Sequence, residues 1–268
     1  MLGEDFKRAR SAWLYPQAML QTFWRGLAIA LLLFALSLLL EGIFVLPYYR
    51  FAFGGDLAGL KDANALASPS FLAADLMAKF PVSLLVAALA IYFAKFGRPK
   101  AMGHLPLAVP KIAPFGWALL VGGFVVFSYA MATLVFVAMG VDPAAFQGGP
   151  VEKEIADLVK NPFLFALIMP GVILGAPLIE EFIFRGALFA GLVRSPVGKP
   201  GAVIISALLW AAVHAGPAPA VVVGTIFLMG IVLALLLLRF GSLWVTIVCH
   251  TIWNAVQTVM IFYHFSST

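Results

Sequence analysis

Glu180, Glu181 and Arg185 stand inside a long apolar run, A-P-L-I-E-E-F-I-F-R-G over residues 176–186. A charged side chain at the bilayer centre costs roughly 3 kcal/mol on translocon scales, so these residues need internal partners and a function. On a helix Glu181 and Arg185 lie four apart on one face and can pair, while Glu180 points about 100° away from Glu181. The spacing therefore predicts divided roles. Glu181 and Arg185 form a buried ion pair that locks helix packing, and Glu180 is left for chemistry. Pro177 has no N–H to donate, so the helix either kinks there or restarts with Pro177 in its first turn. A restart would place both glutamates near a helix N-terminus, where the dipole favours negative charge.

Three later polar residues also fall inside apolar stretches: His214 in L-L-W-A-A-V-H, and His250 with Asn254 in V-C-H-T-I-W-N. His250 and Asn254 are four apart and share a helix face, about 6 Å from each other, so they can act as a unit. At 1.5 Å per residue Glu180 lies about 21 Å from Arg194, His214 about 20 Å from Gly201, and His250 and Asn254 about 12 and 18 Å from Ser242. All four reach the middle of a ~30 Å hydrocarbon core. A carboxylate and an imidazole sharing one water can deprotonate it for attack on a peptide carbonyl and later return the proton to the leaving amine. A second imidazole and an amide N–H, here His250 and Asn254, can stabilise the oxyanion of the tetrahedral intermediate. Glu180, His214 and His250 are also acceptable zinc ligands with an open water position. The spacing leaves both mechanisms open. With no H-E-x-x-H pair, it favours a glutamate–histidine mechanism that requires no cofactor, with zinc as the alternative.

Other protease chemistries find little support. Cys249 neighbours His250, but adjacent side chains diverge by about 100° on a helix, so it reads as a packing residue. No G-x-S-x-G occurs, and Gly54-Gly55-Asp56 reads as a turn.

The elements that must position these groups are set by composition: 63% hydrophobic residues, 11% charged, and a mean hydropathy of +1.04. Such a chain is an all-α polytopic membrane protein, and 268 residues hold a single bundle of about seven spanning helices. The apolar spans read as 26–47, 76–96, 114–140, 162–193, 201–215, 219–239 and 242–263. The fifth is short for a full crossing. The fourth is long and interrupted by Pro170-Gly171 and Pro177, which predicts tilt, a break or partial burial. Residues 1–25 carry Lys7, Arg8, Arg10 and Arg25 among Trp13, Tyr15, Phe23 and Trp24, the pattern of a segment lying on the cytoplasmic surface. No removable signal peptide is expected, so the first span should stay as an anchor.

Arg and Lys content alternates between loops. The N-terminus, the loop with Lys95, Arg98, Lys100 and Lys111, the loop with Arg194 and Lys199, and the turn at Arg239 fall on one side. The other side collects Asp56, Asp62, Asp75, Asp142, Glu152, Glu154 and Asp157 against Arg50, Lys61, Lys79, Lys153 and Lys160. This bias predicts a cytoplasmic N-terminus, and the net charge of +5 then marks cytoplasmic loops and not nucleic-acid binding.

Three motifs in order, Glu180-Glu181-x-x-x-Arg185, Trp210-x-x-x-His214 and His250-x-x-x-Asn254, resemble the CAAX-processing and bacteriocin-immunity intramembrane proteases, the Abi or Rce1-like family. The family pattern has phenylalanine where this chain has Trp210; the swap keeps an aromatic wall and bears on pocket shape more than on chemistry. The resemblance covers residues 162–263 as the core, with 26–140 as N-terminal helices that carry no recognised motif. It implies that Glu180 and His214 activate water, that His250 and Asn254 form the oxyanion site, and that Glu181, Arg185 and Trp210 support them. It further implies a membrane-associated or lipidated protein or peptide substrate within membrane lipids, with the chain in a bacterial inner membrane. The competing readings are a proton-coupled carrier, which would show repeated halves with broken helices, and a non-catalytic scaffold or immunity protein.

Glu41, near the outer end of the first span, is expected to snorkel to the interface. His104 and His264 read as solvated, and Trp244 and Trp253 as packing or interface anchors.

Overall fold

Proline is the first described residue of four of the helices, because a first-turn residue needs no N–H donor and proline already holds a helical φ. Seven helices of 17 residues or more are present among the described residues: α1 (Pro16–Pro47), α2 (Pro69–Phe96), α3 (Pro114–Ala138), α4 (Pro162–Leu192), α5 (Gly198–His214), α6 (Ala220–Phe240) and α7 (Leu243–Ser266). α1, α2, α3 and α4 open on Pro16, Pro69, Pro114 and Pro162. The side chain of Asn161 caps α4 by accepting from the Phe163 and Leu164 N–H groups at 3.2 Å. The computed structural model describes residues 16–61, 68–96, 105–142, 158, 160–216 and 219–266, with no strand among them. The basic residues Lys7, Arg8, Arg10, Arg98 and Lys100, the charged run Glu152 to Asp157, Asp62, His104 and the side chains of Lys95 and His264 lie outside the described residues.

Among the described residues six helices are long and apolar enough to cross a membrane, and α5, at 17 residues, is the short seventh. The chain is thus an all-α, multi-pass integral membrane protein. Its outer faces are apolar, with Leu31, Leu38, Phe115, Leu119 and Val126 exposed, whereas Glu181, Arg185, Ser206, Thr246 and His250 are buried. Polar groups point inward because hydrocarbon offers them no partner. Residues 16–25 form the first turns of α1 itself. α2 begins seven residues before the expected span, at Pro69, so Asp75 and Lys79 are helix residues and not outer-loop charges.

α4 is the central element. It packs against α1, α2, α5 and α7, and all eight residues from Glu181 to Leu188 are buried. It neither breaks nor restarts at its prolines. The helix continues from Pro162 to Leu192 with π-helical stretches at Pro170–Gly175 and Glu181–Leu188. Widening the turn lets the chain carry Pro170 and Pro177 without ending the helix, and π turns of this kind gather at functional sites.

The wide turn also brings glycine against α2. A Cβ added at Gly171 would fall on the Leu76 carbonyl oxygen, and one at Gly175 would lie 2.7 Å from the Lys79 carbonyl carbon. Small residues allow this backbone approach, as is usual between membrane helices. Gly54, at φ 67°, sits in the expected turn, where Asp56 Oδ1 accepts from the Ala58 N–H at 3.0 Å. Gly171→Ala should force α2 from α4 and cost about 1–3 kcal/mol, as overpacking does. A lower midpoint for thermal exposure of Cys249, the single cysteine and buried, would report it.

Candidate active site

The three motifs converge. Glu181 is fully buried on α4, and its Oε1 accepts from Arg185 Nη1 at 3.0 Å and from His250 Nδ1 of α7 at 3.0 Å. The i,i+4 spacing within α4 supplies the first bond, as expected from sequence, and α7 supplies the second. Arg185 also reaches α6 by donating from Nη2 to the Gly230 carbonyl at 3.4 Å, and its guanidinium lies 4.2 Å from the centre of the Trp210 ring of α5. Such a cation over an aromatic face is attracted to the ring quadrupole. The buried carboxylate and its guanidinium therefore tie four helices together.

Glu180 faces the other way, as the helical geometry required. Its Oε1 lies 4.0 Å from His214 Nε2 and its Oε2 lies 3.9 Å from His250 Nε2. Both separations exceed direct hydrogen bonds. A water held by both partners at about 2.8 Å would subtend roughly a right angle across such a gap. His214 donates from Nδ1 to the Trp210 carbonyl at 2.8 Å, which leaves Nε2 as the acceptor nitrogen of the neutral ring, facing Glu180.

Trp210 departs from the expected aromatic wall. Its Nε1 donates to Glu180 Oε2 at 2.5 Å, while its ring meets His214 and His250 edge-on at centroid distances of 5.6 and 5.2 Å. Phenylalanine has no such donor, so the exchange gives Glu180 a hydrogen bond that the aromatic wall alone would not supply.

Asn254 shares its helix with His250 but has a different partner. Its Nδ2 donates to the Val172 carbonyl of α4 at 3.0 Å. That carbonyl lacks the usual main-chain donors: the Ala176 N–H is turned to Gly171, and Pro177 has none. Among the described residues no hydrogen bond joins Asn254 to Glu180 or His214.

A cavity of about 230 Å³ contains Glu180 and His214. Its lining includes Phe34, Leu38, Ile179 and Val213, together with the polar Glu41 and Ser37 from α1 and Lys79 from α2. Glu41 does not snorkel to the interface. It is largely buried and accepts from Lys79 Nζ at 3.1 Å, and Lys79 also meets Asp75 at 3.1 Å. A cation on the next helix gives Glu41 a partner within the bundle. Lys79 is a cavity residue that sequence reading missed, since an isolated lysine in an apolar span carries no motif. Cys249 and Trp253 are buried, the latter against Tyr129 at 4.9 Å, and Trp244 donates to the Leu107 carbonyl at 2.9 Å, so all three serve packing.

No group of three or more His, Cys, Asp or Glu side chains among the described residues is arranged to hold a metal ion. Tetrahedral zinc ligands at 2.0–2.1 Å stand roughly 3.3 Å apart, closer than Glu180 stands to either imidazole.

Fold and site together define a polytopic helical membrane protein with a part-buried carboxylate–imidazole centre between its helices. Residues 162–256 match the family described as type II CAAX prenyl endopeptidase, Rce1-like, which is the family the three motifs resemble. The matched segment runs from the start of α4 into α7 and includes every motif residue. The family so described is one of CAAX prenyl endopeptidases, and the match leaves α1 to α3 outside it. No curated protein and no solved structure matches the chain.

Removing the buried guanidinium should be severe. Arg185→Met strands the Glu181 carboxylate and is expected to cost about 3–5 kcal/mol, whereas Arg185→Met with Glu181→Gln should recover much of it. Thermal unfolding of the two variants in detergent checks the difference.

Proposed function

We propose that this protein is an intramembrane endopeptidase that cuts near the C-terminus of a membrane-associated, lipidated protein or peptide, by a water activated between Glu180 and His214. The observation that carries the reading is the Glu180 carboxylate standing 4.0 Å from His214 Nε2 and 3.9 Å from His250 Nε2, at the edge of a cavity with apolar walls. The gap suits one water. Glu180 takes a proton from it, the oxygen adds to the scissile carbonyl carbon, and the C–N bond then breaks as Glu180 returns the proton to the departing amine. His214, oriented by the Trp210 carbonyl, holds the water by accepting its other hydrogen at Nε2.

The oxyanion needs donors. His250 is backed at Nδ1 by Glu181 and presents Nε2 to the same space, where its imidazolium form would donate. Asn254 keeps one amide hydrogen on Val172 and contributes the other. The separations around Glu180 favour a mechanism without zinc. The substrate lies in the lipid of a bacterial inner membrane, and the N-terminus is cytoplasmic by the charge bias of the loops.

Glu180→Gln should abolish cleavage while leaving the fold intact, because it removes the base and keeps size and polarity. The test compares the termini of membrane proteins in host cells carrying wild type or Glu180→Gln. Products that depend on Glu180 establish the protease and show where it cuts; identical termini, with both proteins folded and present, would return the site to a scaffold or carrier. Metal analysis separates the mechanisms. Full activity in metal-free protein is expected, and stoichiometric zinc with loss on stripping and recovery on zinc addition would overturn the metal-free step.

A further inference from the structure

Glu180 is held by less than its setting suggests. The two imidazoles beside it are both too far for a direct hydrogen bond, and among the described residues the only side-chain donor bonded to it is the indole N–H of Trp210. A carboxylate beside a cavity of about 230 Å³ would otherwise be free to rotate about its side-chain torsions.

The donor, by contrast, is fixed on every side. Trp210 is 1% exposed, Arg185 covers its ring, His214 and His250 stand against its faces and edges, and Gly230 of α6 brings its backbone so near that an added Cβ would lie 3.0 Å from Trp210 Cε3. The bond also distinguishes the two carboxylate oxygens. Oε2 is engaged by the indole, and Oε1 is left facing His214 Nε2. The same residue orients that imidazole, because the Trp210 carbonyl accepts from His214 Nδ1.

We propose that Trp210 is a positioning residue for the reaction: its indole N–H fixes Glu180 Oε2 so that Oε1 and His214 Nε2 face one water. This rests on the peptidase reading above. The backbone half of the arrangement is open to any residue on a helix. The side-chain half needs an indole, and phenylalanine in its place leaves Glu180 without a direct side-chain donor.

Trp210→Phe keeps an aromatic ring, and Trp210→3-benzothienylalanine, introduced by nonsense suppression, keeps the bicyclic shape and removes only the N–H. Losing a hydrogen bond to a charged group predicts that kcat falls about 10–100-fold in both variants while KM stays within about twofold. A residue that merely packs would lose activity in the phenylalanine variant and keep it in the benzothienyl variant, and that result would overturn the proposal. The bond has its own readout. In protein labelled with ¹⁵N at indole nitrogens, the Trp210 resonance, one of six and identified by its loss in Trp210→Phe, should move on Glu180→Gln. A resonance that stays in place overturns the proposal and leaves the peptidase reading standing. Wild-type protein with no Glu180-dependent cleavage overturns the peptidase reading and the positioning role with it, even where the resonance moves.

Discussion

A carboxylate sealed away from water organises this bundle. Glu181 is fully buried, and one of its oxygens takes hydrogen bonds from both Arg185 and His250. In hydrocarbon neither charge can fall back on solvent, so each partner must stay where the other needs it. Because Arg185 reaches the Gly230 carbonyl and the face of Trp210, holding Glu181 also sets α5 and α6 against α4. Glu180 is then placed by default. It is the next residue along a helix whose rotation is already determined, and it turns toward the cavity because Glu181 turns away from it.

The first two helices take part as well, although the matched segment begins at residue 162. Gly171 and Gly175 let the backbone of α2 lie directly on α4, and this contact carries Lys79 to the cavity that Glu180 also lines. Lys79 holds Glu41 of α1 there. The cavity is thus lined by Glu180 and His214 from α4 and α5 and by the Glu41–Lys79 ion pair from α1 and α2, so different parts of the chain provide its charged groups.

Much of this was legible before any coordinates. Hydropathy located all seven helices to within a few residues, except at the starts of α1 and α2, which lie at Pro16 and Pro69, well before the expected 26 and 76. The i,i+4 rule joined Glu181 to Arg185 and separated Glu180 from both, and counting depth along each helix brought His214 and His250 to the right level. What stayed hidden depends on contacts between helices. Glu41 and Lys79 are 38 residues apart, and no periodicity links them. Tryptophan and phenylalanine look equivalent as walls, and only the position of Glu180 gives the indole N–H its meaning. Asn254 was paired with His250 by spacing, whereas its partner was decided by a carbonyl on another helix.

That carbonyl belongs to Val172, and it is open because of Pro177. A proline in a helix is usually counted as a local defect, a missing bond to be tolerated. Here the missing N–H creates a demand that α4 cannot meet from its own backbone, and α7 meets it through Asn254, one helical turn from His250. The defect acts as an address: it tells the last helix where along the fourth it must dock, and so sets the height at which the imidazole of one arrives beside the carboxylates of the other. Pro177 joins two helices through an atom it does not have.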